Sequence, residues 1–92
     1  MIRSFRNSDT QTFFELGHVK RWARIERQAL RKLVQLDLAQ NMNDLRVPPG
    51  NRLEALSGDR KGQWSIRVND QFRVCFKWAD DGPTDVEIVD YH

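Results

Sequence analysis

The chain has 92 residues, of which 39% are apolar and 30% are charged, and its formal net charge is +2. This length predicts a single domain over residues 1–92 with one modest core. No apolar run approaches the roughly 18 residues of a membrane span, and the lone cysteine, Cys75, excludes an internal disulfide and a Cys/His zinc spacing. Because Arg3 and Arg6 interrupt the N-terminus before any apolar segment, we expect a cytoplasmic protein with no membrane partner. We also expect neither a metal nor a cofactor.

Positive charge is concentrated in the first part of the chain. Residues 1–67 contain 13 basic and 7 acidic residues, a balance of +6, whereas residues 68–92 contain 2 basic and 6 acidic residues, a balance of −4. A concentrated positive field attracts polyanions such as nucleic acid. A solvated polar surface accounts for the same distribution equally well, so charge alone leaves both interpretations open.

The N-terminal half is predicted to contain one short strand and two helices. Residues 1–5 have the pattern of a strand. The polar residues at positions 7–9 offer N-caps for a helix over residues 10–16, and Gly17 ends that helix. A longer helix is predicted over residues 20–38, a stretch that contains neither glycine nor proline.

The residues of the longer helix divide into two faces. At 100° per residue, apolar side chains fall within about 40° of one direction, and these are Trp22, Ile25, Ala29, Leu33 and Leu36. The opposite side carries four cations, Lys20, Arg24, Arg27 and Arg31. These cations either solubilise the outer face or dock onto a phosphate backbone or an acidic partner.

The C-terminal half is predicted to be β structure. After a connector over residues 40–50, strands are predicted over residues 52–56, 63–69, 72–78 and 85–89. Strict alternation in the middle two strands supplies one apolar layer, formed by Trp64, Ile66, Val68, Phe72, Val74, Phe76 and Trp78. The order β-α-α-β-β-β, continued by a last strand, predicts an α+β fold. In this fold a mainly antiparallel sheet has the two N-terminal helices packed on one face.

The other face of the sheet is predicted to be polar and to carry the functional residues. Its candidates are the cations Arg60, Lys61, Arg67 and Arg73, the carboxylate Glu54, and the closing residues Asp90, Tyr91 and His92. Cleavage of RNA through its 2′-hydroxyl needs a base, an acid and cations that stabilise the phosphorane, and this set offers all three. Each candidate also has a structural interpretation: Arg73 as a strand residue packed by its stem, Tyr91 as an amphipathic edge residue and His92 as a frayed end.

Two stretches of the sequence resemble a known family. The segment PPGNRLEALSGDRKGQWSIRVNDQFRVCFKW begins at Pro48, and VEIVDYH ends the chain. Together they resemble the HigB toxins of bacterial toxin–antitoxin modules, within the RelE-type ribonuclease superfamily, and the resemblance extends over essentially the whole chain. It implies a compact RelE-like fold and a metal-independent endoribonuclease. Such an enzyme cuts messenger RNA in the ribosomal A site by 2′-hydroxyl attack and thereby inhibits translation and growth.

The resemblance also implies roles for individual residues. Arg73 would stabilise the phosphate, and the closing Asp90, Tyr91 and His92 would share proton transfer and substrate positioning. The loop over residues 58–62, with Arg60 and Lys61, and the cations of the longer helix would meet ribosomal RNA.

The sequence departs from the family pattern at one corner, and the family implies particular partners. Many members have histidine at the position of Glu54 and lysine at the position of Ser57, so this corner loses a proton carrier and a cation.

The implied partners are a HigA-type helix-turn-helix antitoxin, the ribosome and mRNA, with operator DNA reached only through the antitoxin. Two other classes stay open: a non-catalytic RNA-binding module using the same cationic face, and a regulatory module whose arginine helix binds an acidic protein.

Overall fold

The elements of the protein follow a helix-then-sheet order in the computed structural model, which describes residues 1–91. The helices are α1 (Ser8–Leu16) and α2 (Glu26–Leu38), with short 3₁₀ helices at Lys20–Ile25, Met42–Arg46, Pro49–Asn51 and Gly58–Arg60. The strands are β1 (Glu54–Ala55), β2 (Trp64–Arg67), β3 (Phe72–Ala79) and β4 (Gly82–Asp90). They form one antiparallel sheet in the order β1-β2-β3-β4. Within residues 1–91, no helix is both long enough and apolar enough to cross a membrane.

Helix α1 begins and ends where the sequence predicts, apart from two residues at its start. The Asn7 side chain accepts a hydrogen bond from the backbone N–H of Thr10, which satisfies one of the free donors of the first turn. Gly17 takes a left-handed conformation with φ 78°, and its N–H donates to the Phe13 carbonyl at 2.7 Å. Between these caps, Thr10 and Phe13 are fully buried, so α1 packs against the sheet through a narrow face.

The continuous helix predicted over residues 20–38 is wrong, because this stretch forms two helices. A 3₁₀ helix over Lys20–Ile25 precedes α2, and Trp22 has non-helical torsion angles of φ −113° and ψ 20°. The Trp22 ring is buried edge-on against Phe13, with their centroids 5.7 Å apart. A contact between distant segments therefore accompanies the break, and no local glycine or proline signals it. The predicted apolar face is nonetheless buried, with Trp22, Ile25, Ala29, Leu33 and Leu36 at most 6% exposed.

The predicted N-terminal strand is also wrong, since residues 1–5 form only an isolated parallel bridge, between Phe5 and Val86 of β4. The Arg3 N–H donates to the Pro83 carbonyl at 2.8 Å, so the segment still runs along the edge of β4. Gly82 permits this approach, because a Cβ at this position would lie 2.5 Å from the Met1 carbonyl oxygen. The segment covers the β4 edge without making a full ladder.

The core lies between the helices and one face of the sheet, as predicted. The apolar layer of β2 and β3 contacts the buried residues of α1 and α2, with Ile66, Val74 and Phe76 fully buried and Phe72, Trp64 and Trp78 packed at its margin. Trp64 and Trp78 thus pack against the core and are partly buried. The first predicted sheet strand, residues 52–56, is shorter than expected, because Arg52 adopts a left-handed conformation with φ 47° immediately before β1.

Candidate active site

The sheet face away from the helices carries two rows of side chains that run across the strands. Cross-strand pairing aligns Glu54 with Ser65, Ser65 with Cys75, and Cys75 with Glu87. The next row aligns Arg67 with Arg73, and Arg73 with Val89. Directly opposed residues share a face of the sheet.

This face is less open than the sequence predicts. Ser65 and Cys75 are fully buried, and Glu87 is 8% exposed. Arginine side chains lie over two of these residues, because Arg73 donates to the Ser65 hydroxyl, and Arg60 and Arg6 approach the Glu87 carboxylate. The accessible part is the end of the sheet near Arg73.

Arg73 is held by two anchors. Its Nε donates to the Ser65 hydroxyl at 2.8 Å, and its Nη2 donates to the Arg52 carbonyl at 2.7 Å. These bonds use two of the five N–H groups of a guanidinium, and no other hydrogen bond from Arg73 forms within residues 1–91. The remaining donors are therefore available to an anion at a position that the sheet determines.

The closing residues of the chain do not all meet at Arg73. The Tyr91 ring lies beside it, with the guanidinium carbon 6.0 Å from the ring centroid, and Tyr91 is 41% exposed. Asp90 instead pairs with Phe72 across the strands, so it lies on the opposite side of β4 from Val89, the partner of Arg73. Its carboxylate accepts a hydrogen bond from Gln71 Nε2 at 3.1 Å. The prediction for His92 falls outside the described residues.

Glu54 lies one strand away from the Arg73 anchor. It is exposed, and it stands opposite Ser65, the residue whose hydroxyl accepts from Arg73. The structure thus places a solvent-accessible carboxylate, a fixed guanidinium and a phenol at one end of the same face. These three residues belong to the predicted catalytic set of Glu54, Arg73, Asp90, Tyr91 and His92, whose role in catalysis stays a prediction.

Glu87 is a residue that the sequence reasoning missed. Its carboxylate accepts a 2.7 Å hydrogen bond from Arg60 Nη1 and lies 3.6 Å from Arg6 Nε. The Arg60 guanidinium also donates to the Gln63 side chain at 3.0 Å. The hydrogen bond to Glu87 raises the pKa of Arg60, which keeps this guanidinium charged. Strand alternation with Val86 and Ile88 was the available signal, because it places Glu87 on the functional face.

The other predicted cations occupy different surroundings. Arg67 pairs with Asp70 in the β2–β3 turn, which reduces the charge it offers to a ligand. Lys61 is exposed after the Gly58–Arg60 turn. The row on the helices is exposed as predicted, and none of its members forms an ion pair within residues 1–91: Lys20, Arg24, Arg27 and Arg31.

Cys75 and the carboxylates of this face do not form a metal site. Among the described residues, no three His, Cys, Asp or Glu side chains come together as possible metal ligands. Burial raises the pKa of the Cys75 thiol, although the charge of Arg60 opposes the rise. A protonated, buried thiol is a packing group and not a nucleophile.

Comparison with known proteins identifies the family of this chain. Residues 3–92 match the family model for the HigB-like toxins, described as the RelE-like toxin of type II toxin–antitoxin system HigB. The chain is 45% identical over 82 residues to Toxin HigB-1 of Vibrio cholerae, covering 87% of this chain and 86% of that protein. It is also 28% identical over 93 residues to a Proteus vulgaris protein named Endoribonuclease HigB, covering 100% of both.

Solved structures show the same fold at low sequence identity. A mutant of YafQ from Escherichia coli superposes with a TM-score of 0.63 at 16% identity, covering 98% of this chain and 91% of that one. The YoeB–YefM complex from Staphylococcus aureus gives a TM-score of 0.61 at 18% identity, covering 100% and 98%. The predicted α+β fold is therefore confirmed, and the chain belongs to the HigB-like family of RelE-like toxins of type II toxin–antitoxin systems.

Proposed function

We propose that this toxin is an endoribonuclease that cleaves mRNA in the ribosomal A site by 2′-hydroxyl attack, with residues 1–92 acting as one domain. The observation that carries the proposal is the anchored guanidinium of Arg73, which among residues 1–91 keeps N–H donors without a partner and has the Tyr91 ring 6.0 Å away. The name of the Proteus vulgaris relative supports the nuclease activity. A donor group that is preorganised where negative charge develops is among the strongest contributors to catalysis.

The proposed reaction is a transesterification within the RNA strand. The 2′-oxygen bonds to the adjacent phosphorus while the bond from phosphorus to the 5′-oxygen breaks. A base receives the 2′-hydroxyl proton and an acid delivers a proton to the leaving 5′-oxygen. The products are a 2′,3′-cyclic phosphate and a free 5′-hydroxyl, and no outside reactant is consumed. Arg73 stabilises the charge on the phosphorane between these two events.

The proton-transfer groups are proposed from their positions around Arg73. Glu54 is an exposed carboxylate on the strand next to the anchor of Arg73, which suits it to accept the 2′-proton. Tyr91, whose ring centroid lies 6.0 Å from the Arg73 guanidinium carbon, is proposed to position the nucleotide and to donate to the leaving oxygen. Asp90, the last residue of β4, is proposed to act from the neighbouring side of the strand. His92 belongs to the proposed set on the family resemblance alone.

The remaining cations are proposed to contact RNA phosphates, either of the ribosome or of the mRNA bound to it. The exposed row on the helices has no internal ion pairs among the described residues, so its charge is available to phosphates. The proposed contacts are Lys20, Arg24, Arg27, Arg31, Arg60, Lys61 and Arg67. Arg60 and Arg67 are the weaker members, because each already pairs with a carboxylate.

An antitoxin is the natural protein partner of a type II toxin, and we propose that it is of the helix-turn-helix HigA type. The toxin would then reach operator DNA only through this antitoxin. Coexpression with the protein encoded beside this chain tests the idea, because a HigA-type partner copurifies with the toxin and restores growth. A neighbour that neither binds the toxin nor restores growth contradicts it.

Cleavage in a reconstituted translation reaction tests the nuclease proposal. We expect Arg73→Ala to lower the rate of mRNA cleavage by about 10²- to 10³-fold. Arg73→Lys should restore only part of it, because lysine lacks the planar fork. Arg46→Ala is the control, since it removes an exposed arginine outside the proposed site. The cleaved ends should carry a 2′,3′-cyclic phosphate.

Three results would contradict the proposal. They are full cleavage by Arg73→Ala, cleavage of the same mRNA without ribosomes, and 3′-hydroxyl ends. Circular dichroism of each variant establishes that the fold is retained. If Arg73→Ala retains growth arrest without cleavage, the non-catalytic RNA-binding interpretation is the correct one.

A further inference from the structure

A cleft of about 540 Å³ lies between the Lys20–Ile25 helix and the turn that joins β2 to β3. The cleft lies on the opposite side of the sheet from Arg73. It is bordered by Phe72, whose side chain points toward the helices. Its volume is within the range of ligand-binding pockets.

The lining of the cleft has a marked positive character. Three cations border it and none of its described lining residues is acidic. The charge of Arg21 is already paired within the protein, because its guanidinium lies 3.0 Å from the Asp9 carboxylate and 4.6 Å from the centre of the Trp22 ring. Lys20 and Arg24 have no carboxylate partner within residues 1–91, so their charge is available to an anion.

Two amide side chains add hydrogen-bonding groups to this charge. Gln28 borders the cleft and makes no side-chain hydrogen bond to the described part of the chain. Gln71 donates through Nε2 to Asp90, which leaves its Oε1 as a free acceptor among residues 1–91. Amides read the edges of bases because each supplies both a donor and an acceptor.

Gln71 also joins the cleft to the candidate active site. Its backbone carbonyl accepts a 2.6 Å hydrogen bond from the Tyr91 N–H. Gln71, Asp90 and Tyr91 thus form the end of the sheet between the cleft on one side and Arg73 on the other. A single RNA strand would have to bend around this end to contact both.

We propose that the cleft binds the RNA segment that flanks the cleaved phosphodiester. Lys20 and Arg24 hold its phosphates, and Gln28 and Gln71 contact a base edge. This inference rests on the proposed ribonuclease function, because the cleft serves a strand whose scissile phosphate lies at Arg73. An acidic segment of the antitoxin is the competing occupant that the experiment must exclude.

Binding of a non-cleavable oligonucleotide to the intact toxin tests the cleft. The probe is a fluorescein-labelled 2′-O-methyl hexaribonucleotide, in which the methyl groups block 2′-oxygen attack. We expect Lys20→Gln/Arg24→Gln to raise the Kd about tenfold at low salt and to reduce the slope of log Kd against log salt by about 1.4. Arg3→Gln/Arg46→Gln is the charge-matched control, since both arginines are exposed and neither lines the cleft.

A cross-linking measurement locates the bound strand independently of charge. A 4-thiouridine in the same oligonucleotide should attach to the tryptic peptide over residues 28–31, which contains the cleft residue Gln28 and no residue of the Arg73 face. Equal weakening by both double variants, or cross-links only elsewhere, overturns the inference. So does unchanged oligonucleotide binding by Lys20→Gln/Arg24→Gln together with lost antitoxin binding.

The outcomes separate this inference from the nuclease proposal. If the wild type cleaves translated mRNA but substitutions in the cleft leave the Kd for the oligonucleotide unchanged, only the inference about the cleft fails. If the oligonucleotide binds in the cleft and no mRNA is cleaved, the nuclease proposal fails instead.

Discussion

Arg60 and Glu87 form an ion pair that connects the Gly58–Arg60 turn to the middle of β4. The Arg60 Nη1 lies 2.7 Å from the Glu87 carboxylate, and Arg6 approaches the same carboxylate to 3.6 Å. Three segments that are distant in sequence therefore converge on one nearly buried charge. Because a buried carboxylate is stable only when it is paired, this contact positions the turn that covers the functional face.

Removing the charge of Glu87 tests this positioning. We expect Glu87→Gln to lower the free energy of unfolding by about 1–3 kcal/mol, because charged hydrogen bonds in partly buried sites are in this range. Asp85→Asn is the control, since the Lys77–Asp85 pair is exposed and should contribute less than about 1 kcal/mol. Urea unfolding measures both values. Equal losses in the two variants would show that the Glu87 pair is no stronger than a surface pair.

Two substitutions at Tyr91 separate its hydroxyl from its ring. Tyr91→Phe retains the ring beside Arg73, so we expect mRNA cleavage to fall by about 10²-fold only if the hydroxyl transfers a proton. Tyr91→Ala also removes the ring, so it should raise KM in addition to lowering kcat. Steady-state kinetics in the ribosome-dependent reaction measures both. Full activity in Tyr91→Phe would limit the role of Tyr91 to positioning.

The buried thiol of Cys75 predicts a pH dependence of stability. Burial raises its folded pKa above the ordinary value of 9.0, so the unfolded thiol loses its proton at lower pH than the folded one. The stabilisation is fully present below pH 9.0 and is lost as the pH rises toward the folded pKa, at no more than about 1.4 kcal/mol per pH unit.

Comparison with Cys75→Ala isolates this contribution from the other alkaline titrations. Urea unfolding between pH 7.5 and pH 10.5 should show a steeper loss of stability in the wild type than in the variant. Native Cys75 should also resist iodoacetamide until the protein unfolds. Parallel pH profiles would mean that the thiol ionises equally easily in both states.

A buried hydroxyl connects helix α1 to strand β4. The Thr10 Oγ1 accepts a 3.1 Å hydrogen bond from the Ile88 N–H, and Thr10 is fully buried. Thr10→Val keeps the shape but leaves that N–H unpaired, so we expect a loss of about 1–3 kcal/mol of stability. Thr12→Val, at an exposed position of the same helix, should change stability by less than about 0.5 kcal/mol.

Several elements could be predicted from the sequence because local chemistry decides them. Asn7 and Gly17 set the ends of α1, and strict alternation assigned the apolar layer of β2 and β3 to the helix side. The extended family signature was equally informative, and the toxin family it predicts is confirmed. In each case the feature could be predicted because residues close together in the chain, or a long continuous stretch of sequence, determine it.

Other features depended on contacts between distant segments. The break at Trp22 accompanies its packing on Phe13, and neither residue signals it alone. The role of Glu87 follows from two arginines that reach it from separate loops.

The amino-acid sequence by itself determined the α+β fold and the buried faces, because periodicity and local caps act over a few residues. The role of Arg73 came from the family resemblance and stays a prediction. Tertiary structure alone decided which candidates share a site. Strand register places Tyr91 beside Arg73 and turns Asp90 to the other side of β4. The physical reason is that side chains alternate along a strand, so adjacent residues in the sequence point to opposite faces.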